Sequence, residues 1–400
     1  MSRRVYLDWA ATAPLAQEAL AAMQPYLCAD MQELGVQANA NSLHSSGRRA
    51  FAALEQARAD LASCIGALRP EEVVFTSGAT EANNAALSGI VAALQKRAVL
   101  RGEGSYVPHI VVSAIEHEAV LAPAKALEAQ GCRISCVSPD SQGFIRPEAL
   151  KALLCKDTAL VSVQTANNEV GTIQPIKELA DAAHSVGALF HTDAVQALGR
   201  MDLGLEAIGA DAASFSAHKV GGPKGVGALY LRRTTPFDPL LRGGGQEMGK
   251  RSGTQDVCGA VGFAAAAQAA CKGSAAQNHR LTALRDLLYH QLAQTGYARP
   301  TLDCAPGSTA HLPHIVHVLA DGFESEVLIL RLDLKGFEVS AGSACSTHSL
   351  EPSHVLRALN IPKKSALCSL RVSLGWATTQ EDVEAFKEAF VASCEQGSLG

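Results

Sequence analysis

The sequence predicts an α/β protein with a large, mainly parallel sheet covered by helices, joined to a smaller α+β unit. Three observations predict this class. Short apolar runs alternate with helical patterns from about residue 70 to 232, as parallel strands joined by crossover helices do. The chain has 400 residues, more than one ordinary core holds. A Gly-rich break, "LRGGGQEMGKRSGTQD", separates the alternating region from a C-terminal stretch of different pattern.

The predicted strands of the large unit are "EEVVFT", "HIVVSA", "CRISCVS", "ALVSVQT", "GALFHTD", "DAASFSA" and "GVGALYLR". Between the fourth and fifth, "PIKELADAAHSVG" reads as a crossover helix, with a proline suited to a first turn and a glycine suited to a C-cap. The Ala-rich stretch from Gly259 to Gly273 reads as a buried helix leading into the second unit. There "HIVHVLA", "FESEVLILRLDLKG", "FEVSAGS", "CSLRVSLG" and "TTQEDVEAFKEAFV" give strand, helix, strand, strand and helix. The expected division is residues 15–258 for the large domain, and 1–14 with 259–400 for the small one.

Hydrophobic residues at 48%, charged residues at 18% and a formal net charge of -5 describe a globular chain with ample core material. That charge supplies no basic field for nucleic acid. The N-terminal "MSRRVYLDWAATAP" reaches Asp8 before any signal-length apolar run, and no later run is long enough for a bilayer. A cytoplasmic protein with neither a nucleic-acid nor a membrane partner is expected. Eleven cysteines, an odd number, imply no disulfide framework. Cys132 and Cys136 alternate as in a strand and read as structural thiols. His311, His314 and His317 have a spacing that would suit a helix face. Pro313 and the apolar alternation that follows favour a strand instead, so no metal site is expected.

Candidate chemistry collects at predicted strand ends. "DAASFSAHKVGGPKGVG" runs a strand into Ser216, His218 and Lys219 before glycines stop regular structure. A lysine there suits a Schiff-base role, although a solvated loop lysine is the plainer alternative. "FTSGATEANN" is strand, tight turn and helix start, which leaves backbone N–H groups free for a phosphate, with Thr80 adding a hydroxyl. An ordinary capped helix is the plainer alternative here. "LFHTDAVQALG" ends a strand on Asp193, followed by Gln196, where open α/β sheets bind ligands. "SAIEHEAV" places His117 just past a strand, to stack on an aromatic ring or to cap the next helix. In "VSAGSACSTHSLEP", Cys345 sits among small residues, which suits a loop thiol carried to a partner better than a packing one, although a plain surface connection is the alternative.

In order and wording these segments resemble the NifS/IscS-like cysteine desulfurases, within the class V aminotransferase group of enzymes that use pyridoxal 5'-phosphate (PLP). The resemblance also includes "YLDWAATAP", "SLHSSGR", "NNEVGTIQPI", "RSGTQDV", "LEPSHVLRAL" and "SLRVSLG". It implies fold type I, the PLP-dependent transferase fold, and a homodimer. Lys219 resembles the lysine that carries PLP, and Asp193 the partner of the pyridine nitrogen. Gln196 matches the contact to the phenolic oxygen, and His117 the ring stacked on the cofactor. Thr80, Ser216 and His218 match phosphate-binding positions, while Thr254 matches a phosphate contact made across the dimer. Asn168 and Arg371 match the residues that hold the substrate carboxylate, and Cys345 matches the catalytic cysteine.

Departures from the family pattern are "NANS" at Asn39 to Ser42, Trp9 after Asp8, and the C-terminal "CEQGSLG". The resemblance implies conversion of L-cysteine to L-alanine, with sulfur left on Cys345 as a persulfide and passed to an acceptor such as an iron-sulfur scaffold. A selenocysteine lyase or a class V aminotransferase on the same fold, and an inactive sulfur carrier, are the alternatives. Cys345 counts against the transaminase, and intact Lys219 and Asp193 against the carrier.

Overall fold

The computed structural model describes residues 4–27, 38–102, 106–342 and 351–395. Cys345 and the final residues of "CEQGSLG" therefore lie outside the described residues. In chain order the strands are β1 (Val5–Tyr6), β2 (Val73–Thr76), β3 (His109–Ser113), β4 (Arg133–Val137), β5 (Thr158–Ser162) and β6 (Leu189–Asp193). They continue with β7 (Ala212–Ser216), β8 (Gly227–Leu231), β9 (Arg299–Pro300), β10 (Ile315–Leu319), β11 (Phe337–Glu338) and β12 (Ser369–Ser373).

All seven runs read as strands in the large unit form one sheet, in the order β2-β8-β7-β6-β5-β3-β4. β8 pairs antiparallel with both β2 and β7, and every other pairing is parallel. Burial on both faces explains the nearly continuous apolar runs of the interior strands. Val73 and Phe75 of β2 face a core with Leu54, Leu61 and Phe263, from the helices Ser45–Ile65 and Val257–Lys272. Val74, between them, faces the opposite core with Leu87 and Ile90 of helix Ala79–Leu100. β4 is an edge strand, so Arg133 and Cys136 are exposed, while Cys132 just before it is buried.

The crossover helix is Ile176–His184, shorter than its sequence pattern: Pro175 is the N-cap and Ser185 the C-cap, and Gly187 turns the chain at φ 82°. The Ala-rich helix begins at Val257, where the Asp256 carboxylate accepts from Gly259 N at 2.8 Å. A second helix, Ser274–Gln294, follows after Gly273.

β9, β10 and β12 form a three-stranded antiparallel sheet, and β1 pairs parallel with β11. Val5 and Leu7 thereby join Leu281, Leu288, Val316, Leu370 and Phe386 in one core. Gly375 lets the chain pass directly against the Trp9 ring, which a Cβ would penetrate. Of the three spaced histidines only His317 is within β10; its Nδ1 lies 2.7 Å from Thr301 Oγ1. No helix among the described residues is long and apolar enough to cross a membrane.

Candidate active site

The C-terminal ends of β2, β3, β5, β6 and β7, and the start of β8, share one edge of the sheet, where open α/β sheets bind ligands. A cavity of about 840 Å³ opens there. Nine residues singled out from the sequence line it: Thr80, His117, Asn168, Asp193, Gln196, Ser216, His218, Lys219 and Arg371. Thr254 is exposed and outside this lining.

The turn after β2 leads into helix Ala79–Leu100 with Gly78 as N-cap and no side-chain cap. The ordinary capped helix weighed from the sequence is thus not what forms, and the first-turn N–H groups have no intrahelical acceptor. Glu81, in that turn, would oppose an anion. It is instead tied to Arg251 at 2.9 and 3.2 Å and to Ser77 N at 2.8 Å, which hold its carboxyl below the usual range despite burial. Gly227 crosses beneath the turn so closely that a Cβ would lie 2.6 Å from Gly78 Cα.

Asp193 ends β6, nearly buried, with Oδ2 accepting from Asn83 Nδ2 at 2.7 Å and Oδ1 from Val195 N at 3.1 Å. Gln196 Nε2 donates to Ala10 O at 3.0 Å. Lys219 ends the short turn after β7; its Nζ donates to Ala10 O and Ala11 O, both at 2.7 Å. His218 Nδ1 lies 3.1 Å from Thr12 Oγ1. Burial, reinforced by Lys219 and Lys224, pushes its pKa down to about 4, so the ring is neutral at pH 7.

His117 both caps a helix and lines the cavity. Its Nδ1 accepts from Ala119 N at 3.1 Å, so the neutral ring carries its proton on Nε2. Beside it the Glu116 side chain is fully buried, with Oε1 accepting from Ser113 Oγ and, at 2.7 Å, from Gln164 N, and with Oε2 unpartnered among the described residues. Burial raises the Glu116 pKa to about 8, and the nearby Asp193 charge adds to it. A folded-state pKa above the unfolded value means that the folded protein holds the extra proton. The associated stability is present below about pH 4.3 and is lost as pH rises through about 8. Glu116→Gln keeps an acceptor for Gln164 N without the ionisation. We expect chemical denaturation to show wild type losing stability relative to this variant between pH 5 and 8.5; parallel profiles would refute the buried proton.

Arg371 of β12 is 1% exposed, yet it joins three segments. Nη1 donates to Asn168 O and Gly342 O, both at 2.9 Å, Nη2 donates to Asp8 Oδ1 at 2.9 Å, and Nε has no partner among the described residues. Glu169, next to Asn168, accepts from Ser353 Oγ at 2.6 Å, and burial raises its pKa. The segment that carries Thr254 is anchored by Glu247, which pairs with buried Arg58 and accepts from Phe75 N at 2.8 Å. Asn83, Glu116, Glu169 and Glu247 were not singled out from the sequence. For Asn83 and Glu116 the only available signal was their place inside the quoted strand-end segments.

A phosphate-type helix N-terminus after β2, a carboxylate at the end of β6 and a lysine after β7 meet at the ligand-binding edge of an open α/β sheet, the arrangement of a fold type I enzyme. The profile of the family described as Aminotransferase class-V matches residues 5–386. The chain belongs to that family. It is 43% identical over 383 residues to "Cysteine desulfurase IscS" of Dictyoglomus turgidum, covering 96% of this chain and 92% of that protein. It is 42% identical over 395 residues to "Cysteine desulfurase" of Cereibacter sphaeroides, covering 98% and 96%. A solved "NifS-like protein" superposes with TM-score 0.87 at 34% identity, over 98% of this chain and all of that one.

Proposed function

We propose that this chain is a PLP-dependent cysteine desulfurase that converts L-cysteine to L-alanine and leaves the sulfur on Cys345. The observation that carries the reading is the convergence of Lys219, Asp193 and the uncapped helix N-terminus on one cavity. Full-length relatives named cysteine desulfurases support the reaction.

The donor set fits PLP. The N–H groups at the start of helix Ala79–Leu100, with Thr80, Ser216 and neutral His218, would hold the phosphate, and the pairing of Glu81 with Arg251 removes the nearest opposing charge. Asp193 would hold the pyridine nitrogen, braced by Asn83. Gln196 would contact the phenolic oxygen, His117 would stack on the ring, and Lys219 would bond the cofactor through Nζ. When bound, PLP supplies an electron sink for charge developing on the substrate's α-carbon.

The chain's own groups then divide the work. Arg371 and Asn168 hold the substrate carboxylate, Lys219 Nζ, freed when the substrate amine replaces it, takes the α-proton, and His117, with its proton on Nε2, assists proton transfer. The Cys345 thiolate attacks the substrate sulfur as the C–S bond breaks. Overall, L-cysteine and the Cys345 thiol become L-alanine and a Cys345 persulfide. We take residues 15–258 as the cofactor unit and 1–14 with 259–400 as the unit bearing Cys345; the pairing of β1 with β11 supports the second grouping, although helix Val257–Lys272, which the boundary cuts, packs on the core of the cofactor unit. Thr254, exposed and outside its own cavity, would contact the phosphate of a dimer partner. The sulfur goes to an acceptor protein that serves iron-sulfur or related cofactor assembly in the cytoplasm.

The test is incubation with sulfur-labelled cysteine followed by mass mapping. We expect one added sulfur on Cys345 and alanine in solution; Cys345→Ala should retain PLP but form no persulfide. Alanine release by Cys345→Ala at the wild-type rate, or label confined to other cysteines, would overturn the reading.

A further inference from the structure

Two thiols far from this chemistry in sequence meet at a helix pair. Helices Ser45–Ile65 and Val257–Lys272 pack together on the β2-β8-β7 side of the sheet. Cys64 and Cys271 are each the penultimate residue of their helix, so the two C-terminal ends lie level. Cys271 Sγ lies 3.9 Å from Cys64 O, which makes the two thiol-bearing residues direct neighbours. Both are only partly buried against the core. At the other end, Asn41 Nδ2 donates to Gln255 Oε1 at 2.8 Å, joining the segments that lead into the same helices.

We propose that Cys64 and Cys271 are an oxidative modification site, a dithiol that a hydroperoxide converts to a disulfide stapling the two helix ends. Cys271 is the attacking sulfur. The neighbouring Cys64 thiol holds its pKa below the ordinary thiol value against burial, and Gly199 N–H helps; the Cys64 thiol is pushed up by the same neighbour and by burial. The lowered pKa enlarges the share of Cys271 present as thiolate, the reactive form. Its sulfur attacks a peroxide oxygen, forming a sulfenic acid and expelling hydroxide (or alkoxide). The Cys64 thiol then attacks that sulfur, an S–S bond forms and water leaves. The two sulfurs together give up two electrons, the peroxide takes them, and an external dithiol reverses the change.

Other described cysteines lack this arrangement. Cys155 is also held low, chiefly by Thr158, but Arg133 Nη2 lies 2.9 Å away and His109 Nδ1 3.7 Å away, so its neighbours are a guanidinium, an imidazole and a hydroxyl, with no second thiol. Cys132, Cys136 and Cys258 are raised by burial. The staple would close a long loop, which constrains the unfolded chain most.

The full-length holoenzyme, treated with one equivalent of hydrogen peroxide, alkylated and digested, should yield a Cys64–Cys271 cross-linked peptide two hydrogens lighter than its separate parts. Dithiothreitol should restore both alkylatable thiols. The oxidised wild type should melt at a higher temperature than the reduced protein, a rise absent from Cys64→Ser. In Cys64→Ser a sulfenic acid trap should label Cys271. Full alkylation of both residues after the peroxide is consumed, or sulfinic Cys271 with no cross-linked peptide, would overturn the proposal.

Discussion

Lys219→Ala should lower kcat/KM for cysteine by at least about a hundredfold to ten-thousandfold, the range a positioned general base contributes, while the protein stays folded. The amine sits at the end of a short turn after β7, 2.7 Å from Ala10 O and Ala11 O. It is part-buried and belongs to none of the hydrophobic clusters, so truncation removes reactive nitrogen rather than packing. Melting temperature and far-UV circular dichroism should be close to wild type. Borohydride, which fixes a lysine-bound cofactor, should no longer attach PLP to the chain. Alanine formation near the wild-type rate would mean that a loop lysine had been mistaken for the reactive one.

The placement of Lys219 and Asp193 at the cavity was legible because Asp193 ends an apolar strand and Lys219 follows one by three residues, where turn residues begin, and that punctuation survives in one dimension. The seven strands of the main sheet were legible for the same reason. The direction of β8 was not: "GVGALYLR" has the same apolar alternation whether it runs with its neighbours or against them. Nor did sequence separate the roles of His117, which caps a helix through Nδ1 and still lines the cavity. Asn83 lies one turn inside a helix and becomes the Asp193 partner only when β2 and β6 share an edge. Glu116 and Glu169 are carboxylates in buried surroundings that sequence cannot reveal, because the cost of their charge depends on what folds over them. Glu247 follows a glycine run and reads as a loop charge, yet it is 3% exposed and receives Arg58 and Phe75 N.

Arg371→Lys should raise KM for cysteine about tenfold to a hundredfold, corresponding to the roughly 1.5–3 kcal/mol of a lost charge-assisted hydrogen bond. The structure sharpens why lysine is a poor substitute. The guanidinium already spends Nη1 on Asn168 O and Gly342 O and part of Nη2 on Asp8 Oδ1, while Nε is buried without a partner. One rigid plane can brace three segments and still keep two N–H donors, Nε and the remaining Nη2 hydrogen, for a carboxylate. An ammonium has three donors in all, so it can keep the braces or meet the substrate, not both. If it keeps them, KM rises with melting temperature nearly unchanged. If it turns to the substrate, Asn168 O, Gly342 O and Asp8 lose their donor and the protein melts lower. PLP content should hold in either case, because Asp193, Lys219 and the helix N-terminus lie on other strand ends. An unchanged KM, or loss of PLP in place of a KM effect, would make Arg371 a strand brace and move carboxylate recognition elsewhere in the cavity.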